Sequence, residues 1–151
     1  MPEAPLDTGW VLVAALGDVL SSWNYQIGAY TSDDTYAYGH DGATGKWLMG
    51  ANHFSLPSGA EIEDIGVKAE AHITHGSTFD LKATLLKNKI GTGDQKTLTP
   101  VVQQIVDTDH TYTSTNWGYA FTVTDVNSSF FGVQVVAAQV TGSSSHRVYM
   151  D

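Results

Sequence analysis

The sequence predicts an all-β protein: an antiparallel β-sandwich of jelly-roll type with an irregular N-terminal arm. From residue 54 onward, β-branched and aromatic residues alternate with polar ones, the period of a pleated strand. Turn formers recur at roughly ten-residue spacing with no long helical pattern between them, as in sandwiches and jelly rolls. The stretch DVNSSFFGVQVVAAQ, residues 125 to 139, is apolar on both parities, so its strand needs cover on both flanks.

Residues 1–50 are assigned to the arm and residues 51–151 to the sandwich. The arm holds Trp10, Trp23 and Trp47 among Gly, Tyr, Asp and Thr, with recurrent turn signals such as GHDGATGK. Its segment VLVAALGDVLSSW reads as extended, lying on the protein's own core or on a partner. In AEIEDIGVKAEAHI the odd positions from Ile65 to Ile73 form the apolar face, and Ile62 breaks that parity, which predicts a bulge near Glu63 and Asp64. HGS reads as a turn. TFDLKATLLK, with Phe79, Leu81, Ala83 and Leu85 on one face, then reads as a hairpin partner.

NKIGTGDQKTLTP is expected to be a loop, VVQQIV a short strand, TDHTYTSTN a second loop and WGYAFTVTDV a strand. FFGVQVVAAQV and HRVYM close the series, with GSSS as a flexible turn between them. Cover for the outer flank of FFGVQVVAAQV is expected from the aromatic arm or from a second copy of the chain.

The 151 residues suit one domain. Seven Lys and Arg against sixteen Asp and Glu give a net charge of -9, and Arg147 is the single arginine. Such a surface repels phosphate backbones and anionic headgroups, so neither nucleic acid nor membrane is an expected partner. Without cysteine, disulfides and thiolate chemistry are excluded. The start MPEAPLDTGW lacks the cationic opening of a signal peptide, and VLVAAL is too short to span a bilayer, so the chain is expected to be made in the cytoplasm and left unprocessed.

HFSLPSGAEIEDIGVKAEAHI, FDLKATLLKN, WGYAFTVTDVNSSFFGVQVVAAQV and HRVYM, in that order, resemble the β-sandwich module of tailed-bacteriophage virion proteins. Pro57, Ala60, Gly66, Trp117, Gly118, Asn127, Phe131 and Gly132 carry the resemblance, and Asp64 stands where the pattern has glycine. Trp23 and LMGANHF match its upstream part more loosely. The resemblance implies a virion structural protein at the capsid or tail surface, often a homotrimer. On that basis the chain is expected to be a non-enzymatic capsid decoration protein whose partners are itself and major capsid or tail proteins. A tail-associated receptor-binding or carbohydrate-binding module is the alternative.

Rings beside acids and amides anchor a protein partner or stack a sugar. The arm anchors are Trp10, Trp23, Tyr25, Tyr30 and Trp47, and the glycan-binding candidates are Tyr36, Tyr38 and Trp47. Asp107 with Asp109, and Asp33 with Asp34, are the weak candidates for calcium, and no cofactor is expected. His72 and His75 stand three apart, so in a strand they point to opposite faces and cannot chelate one ion without the turn intervening, and they read as solvated strand-end imidazoles. Glu61, Glu63 and Asp64 read as strand-start acids rather than a hydrolytic pair. With no Gly-x-Ser-x-Gly elbow, no catalytic residue is nominated.

Overall fold

The computed structural model describes residues 8–16, 22–24 and 36–150. These residues form one antiparallel sheet of eight strands: β1 (Ala15–Leu16), β2 (Ala37–Gly39), β3 (Thr44–Leu48), β4 (Ile65–Lys87), β5 (Ile90–Thr97), β6 (Val101–Ser114), β7 (Gly132–Thr141) and β8 (Val148–Met150). One short helix, α1 (Val123–Val126), lies between β6 and β7. The protein is thus all-β and antiparallel, and jelly-roll wiring is a finer statement than this connectivity supports.

The organising element is the 23-residue strand β4. Its first half pairs with β6 on one edge and β8 on the other, and its second half pairs with β5 and β7. Beyond β7 lie β3 and β1, and beyond β8 lies β2. The HGS stretch is therefore not a turn between two strands. Opposite it the register with β6 jumps from Ile73↔Gln104 to Thr78↔Val102, so β4 bulges and bends while its neighbours continue. Parity survives the bend. Val67, Ala69, Ala71 and Ile73 before it, and Phe79, Leu81, Ala83 and Leu85 after it, are buried in the same core. The two halves curl around that core like the layers of a sandwich.

Two expected loops are strands. NKIGTGDQKTLTP holds β5, because Asn88 (φ 50) and Lys89 (φ 69) make a two-residue hairpin loop and β4 supplies the ladder that the glycines lack propensity to form. TDHTYTSTN continues β6 to Ser114, paired with β4 as far as Ile65. Conversely, WGYAFTVTDV is not a strand. Thr122 caps α1 by accepting from the Asp125 backbone N–H, and Asp125 Oδ2 accepts in return from Thr122 N, a capping box that overrides the β-branched composition. The anticipated bulge at Glu63 and Asp64 falls before β4 begins.

The described part of residues 1–50 is no irregular arm, since β2 and β3 are integral strands of the sheet. Residues 8–14 come closest to the expectation, running extended towards β1 on the free edge of β3. In β7, Val135 and Ala137 face the core. Among the described residues no arm overlies the outer flank, which is half-buried as far as Ala138: Val136 lies between Thr44 and Lys82, and Gln134 between Lys46 and Thr84. Small side chains beside lysine stems need no second layer.

Candidate interaction surface

On the outer face of β4, β8 and β2, cross-strand register places His72 opposite Tyr149 and Tyr149 opposite Tyr38. The rings stack. His72 and Tyr149 are parallel within 7° at 5.0 Å, Tyr38 lies 6.0 Å beyond Tyr149, and the Arg147 guanidinium sits 4.9 Å over Tyr38. At the other end His72 Nδ1 is 2.6 Å from Asp107 Oδ1, while Tyr36 donates its hydroxyl to Asp107 Oδ2 at 2.7 Å and packs edge-on against His72. His72 and Tyr149 thus take one face of each other and the guanidinium takes one face of Tyr38, leaving fewer ring faces for a sugar to stack on.

Of the glycan-binding candidates, Tyr36 and Tyr38 are brought together and Trp47 is not. Trp47 is 1% exposed on the core side, packed edge-on against Trp23 at 5.8 Å. Asp107 and Asp109 do not meet at an ion site. They lie in β6, the first bonded to His72 and Tyr36, the second 3.5 Å from the Lys68 ammonium. Among the described residues no three His, Asp or Glu side chains converge on a metal position. Asp33 and Asp34 lie outside the described residues.

The arm anchors divide sharply. Trp23 donates Nε1–H to the Val135 carbonyl at 3.2 Å and is 4% exposed, so Trp23 and Trp47 fill the protein's own core rather than a partner's surface. Tyr25 and Tyr30 lie outside the described residues. Trp10 remains open: it is 56% exposed, with Lys68 over its ring at 5.2 Å, and Leu12 beside it is 55% exposed. Val11 and Val13, on the other parity, pack on the core. Asn52 holds the Leu12 carbonyl at 3.2 Å and Ala14 donates to Leu48 O at 2.8 Å. A fixed extended segment therefore presents two large apolar side chains to solvent.

The open end of the curled sheet, opposite the bend, gathers the residues that carry the virion resemblance. Trp117 plugs it, donating Nε1–H to Ile65 O at the start of β4 while its own carbonyl accepts from Asp94 N of β5. Asn127 accepts from Leu56 N at 2.8 Å and donates to Leu56 O at 2.9 Å, clamping the lead-in segment instead of forming its own Asx turn. Gly132 lies so near β3 that a Cβ there would come within 2.0 Å of the Trp47 carbonyl oxygen. Glu61, Glu63 and Asp64 are exposed on this lead-in.

Exposed aromatics at this end carry cations: Lys87 lies 4.9 Å from the Tyr119 ring and Lys89 4.6 Å from Phe130. The Tyr119 hydroxyl, then the Asp125 carboxylate, hold the Lys87 ammonium above its ordinary titration range. Burial pushes the Asp125 carboxyl up, but hydrogen bonds from Thr122 and Lys87 outweigh it and hold the group below its usual value.

Sequence reasoning missed His72, Tyr149 and Arg147. The signal was present, since Val148 and Met150 read as an inward pair and leave Tyr149 facing out. No protein-family model, curated protein or solved structure matches this chain.

Proposed function

We propose that this chain is a non-enzymatic virion structural protein, a capsid decoration protein of the tailed-phage type that binds the particle surface as a homo-oligomer, a trimer on the resemblance, and stabilises it. The observation that carries the reading is the Trp10–Leu12 strip, apolar and outward on a segment whose opposite face is fixed in the core. Exposed tryptophan on a segment pinned by hydrogen bonds and core packing is the composition of an interface anchor. Further support comes from Trp117, Asn127 and Gly132, three of the residues behind the resemblance, which act as parts of one closure at the open end. The carbohydrate-binding reading draws less support, because Arg147 lies over one face of Tyr38 and His72 over one face of Tyr149.

The purified protein should add back to capsids stripped of their decoration protein in stoichiometric copies and raise their melting temperature. A Trp10→Ser, Leu12→Ser variant with an unchanged circular dichroism spectrum should lose that binding. Folded wild type that ignores capsids overturns the reading, and saturable binding to tail assemblies or glycan arrays instead selects the tail alternative.

A further inference from the structure

The bend of the sheet brings together three of the six histidines and the single arginine. His40 follows β2, His75 lies in the bend of β4, and His146 and Arg147 lie in the loop between β7 and β8. Each contact of His40 admits one reading. Arg147 Nε–H, which only donates, is 3.2 Å from His40 Nε2, and the His146 carbonyl, which only accepts, is 3.1 Å from His40 Nδ1. These two partners match an imidazole with a proton on Nδ1 and a lone pair on Nε2.

His146 is constrained in the opposite sense. The Ser143 backbone N–H points at its Nδ1 from 3.4 Å, and the buried Ser77 hydroxyl bonds the same nitrogen, so Nδ1 carries the lone pair and Nε2 the proton. His75 stacks on His146 at 4.8 Å and 18°, with Nδ1 2.8 Å from the Thr74 hydroxyl. The loop is pressed close: a Cβ on Gly142, at φ 112, would fall 2.1 Å from Ser77 Oγ.

We infer that this imidazole–arginine corner is an acid-sensitive latch: neutral His40 and His146 fasten the β7–β8 loop and β8 to β2 and to the bend of β4, and protonation unfastens them. A proton on His40 Nε2 would face the Arg147 N–H, replacing a hydrogen bond by two opposed donors and setting a cation beside a guanidinium. A proton on His146 Nδ1 would oppose the Ser143 N–H, while the Ser77 hydroxyl can turn to accept it, so the acid sensitivity rests chiefly on the His40–Arg147 contact. The groups facing this corner are Arg147 from the loop, His75 from β4, the Tyr38 and Tyr149 phenols from β2 and β8, and the Asp41 carboxylate from the turn after β2. Asp41 already accepts from Gln139 N at 2.8 Å. Beyond Tyr149, His72 has Asp107 as its own partner. Among the described residues, one carboxylate thus stands against a guanidinium and up to three imidazolium ions. The strand that lets go first is β2, which among the described residues pairs along its length only with β8 and is met on its other edge by the single bridge of Asn24 to Tyr38. Imidazole is the side chain suited to such a change between neutral and mildly acidic solution.

The test is nitrogen-15 NMR of the full chain followed by amide hydrogen exchange. At neutral pH the spectrum should report the Nδ1–H tautomer for His40 and the Nε2–H tautomer for His146. Opposite or mixed tautomers overturn the latch even if every variant fails to fold. Between about pH 7.5 and about pH 5, after correction for intrinsic rates, β2 and β8 amides should lose protection about tenfold while those pairing β4 with β7 hold theirs. Glutamine offers a donor and an acceptor without taking a proton, so His40→Gln with His146→Gln should abolish the differential loss. An undiminished loss in that variant, or a loss spread evenly over all strands, sinks the proposal.

Discussion

At the open end Trp117, Phe121 and Phe131 close the curled sheet with aromatic hydrocarbon, whereas at the bend His40, His75 and His146 close it with imidazoles, serine hydroxyls and one guanidinium. Hydrocarbon closure depends on area removed from water and is indifferent to mild acid. Polar closure depends on which nitrogen carries a proton. A single strand, β4, joins the two, so one chain carries a permanent seam and a conditional one.

The largest effect belongs to the seam. Trp117→Ala removes a side chain that is 2% exposed and leaves the Ile65 carbonyl without its donor, for an expected loss of about 4 kcal/mol in denaturant titrations, equal at neutral and mildly acidic pH. A loss near zero would show that the plug is ornamental and break the contrast. At the bend, Gly142→Ala meets both a left-handed φ and Ser77, so about 3 kcal/mol is expected. Gly59→Ala at the open end, with φ 87 and nothing within 4 Å, isolates conformational strain alone, at about 1 kcal/mol. Equal costs at the two glycines would mean that the loop is not pressed against Ser77.

Asn127→Ala strips both polar groups of Leu56 of their partner, and about 2 kcal/mol should be lost with little pH dependence. Smaller still is the capping box, where Thr122→Ala should cost about 1 kcal/mol. Its partner sharpens the comparison through pH. Asp125 titrates below its usual range in the folded protein, so its contribution is complete above the ordinary carboxylate range and fades as pH falls through that lowered value. Lys87 titrates above its usual range, so its contribution persists through neutrality and fades only in strong base. Melting curves of Asp125→Asn against wild type should therefore converge in strong acid and stay parallel around neutrality. Divergence on mild acidification would place a titrating switch at the wrong end.

Much of the fold could be read from the letters. The odd-numbered apolar face from Ile65 to Ile73 and again from Phe79 to Leu85 is the face that is buried, and its unbroken parity across Gly76 already signals one strand rather than two. The Gly76 turn signal hid this, because glycine marks bulges and turns alike. Thr122 and Asp125 spell a capping box that the strand-like WGYAFTV masked. At the candidate surface Tyr36 and Tyr38 fall in one ring cluster and Trp10 is exposed, whereas Trp47 is buried, a side that a tryptophan in a glycine-rich stretch, with no periodicity around it, does not reveal.

Composition, parity and turn chemistry were enough to establish an all-β chain and its inward positions, since each depends on neighbours within a few residues. The pairing of His72 with Tyr149, the clamp of Asn127 on Leu56 and the meeting of His40 with Arg147 join residues 71 to 107 positions apart. Such contacts exist only once β4 has bent and chosen partners on both edges. That choice comes from packing the whole core at once, and no local stretch of the chain encodes it.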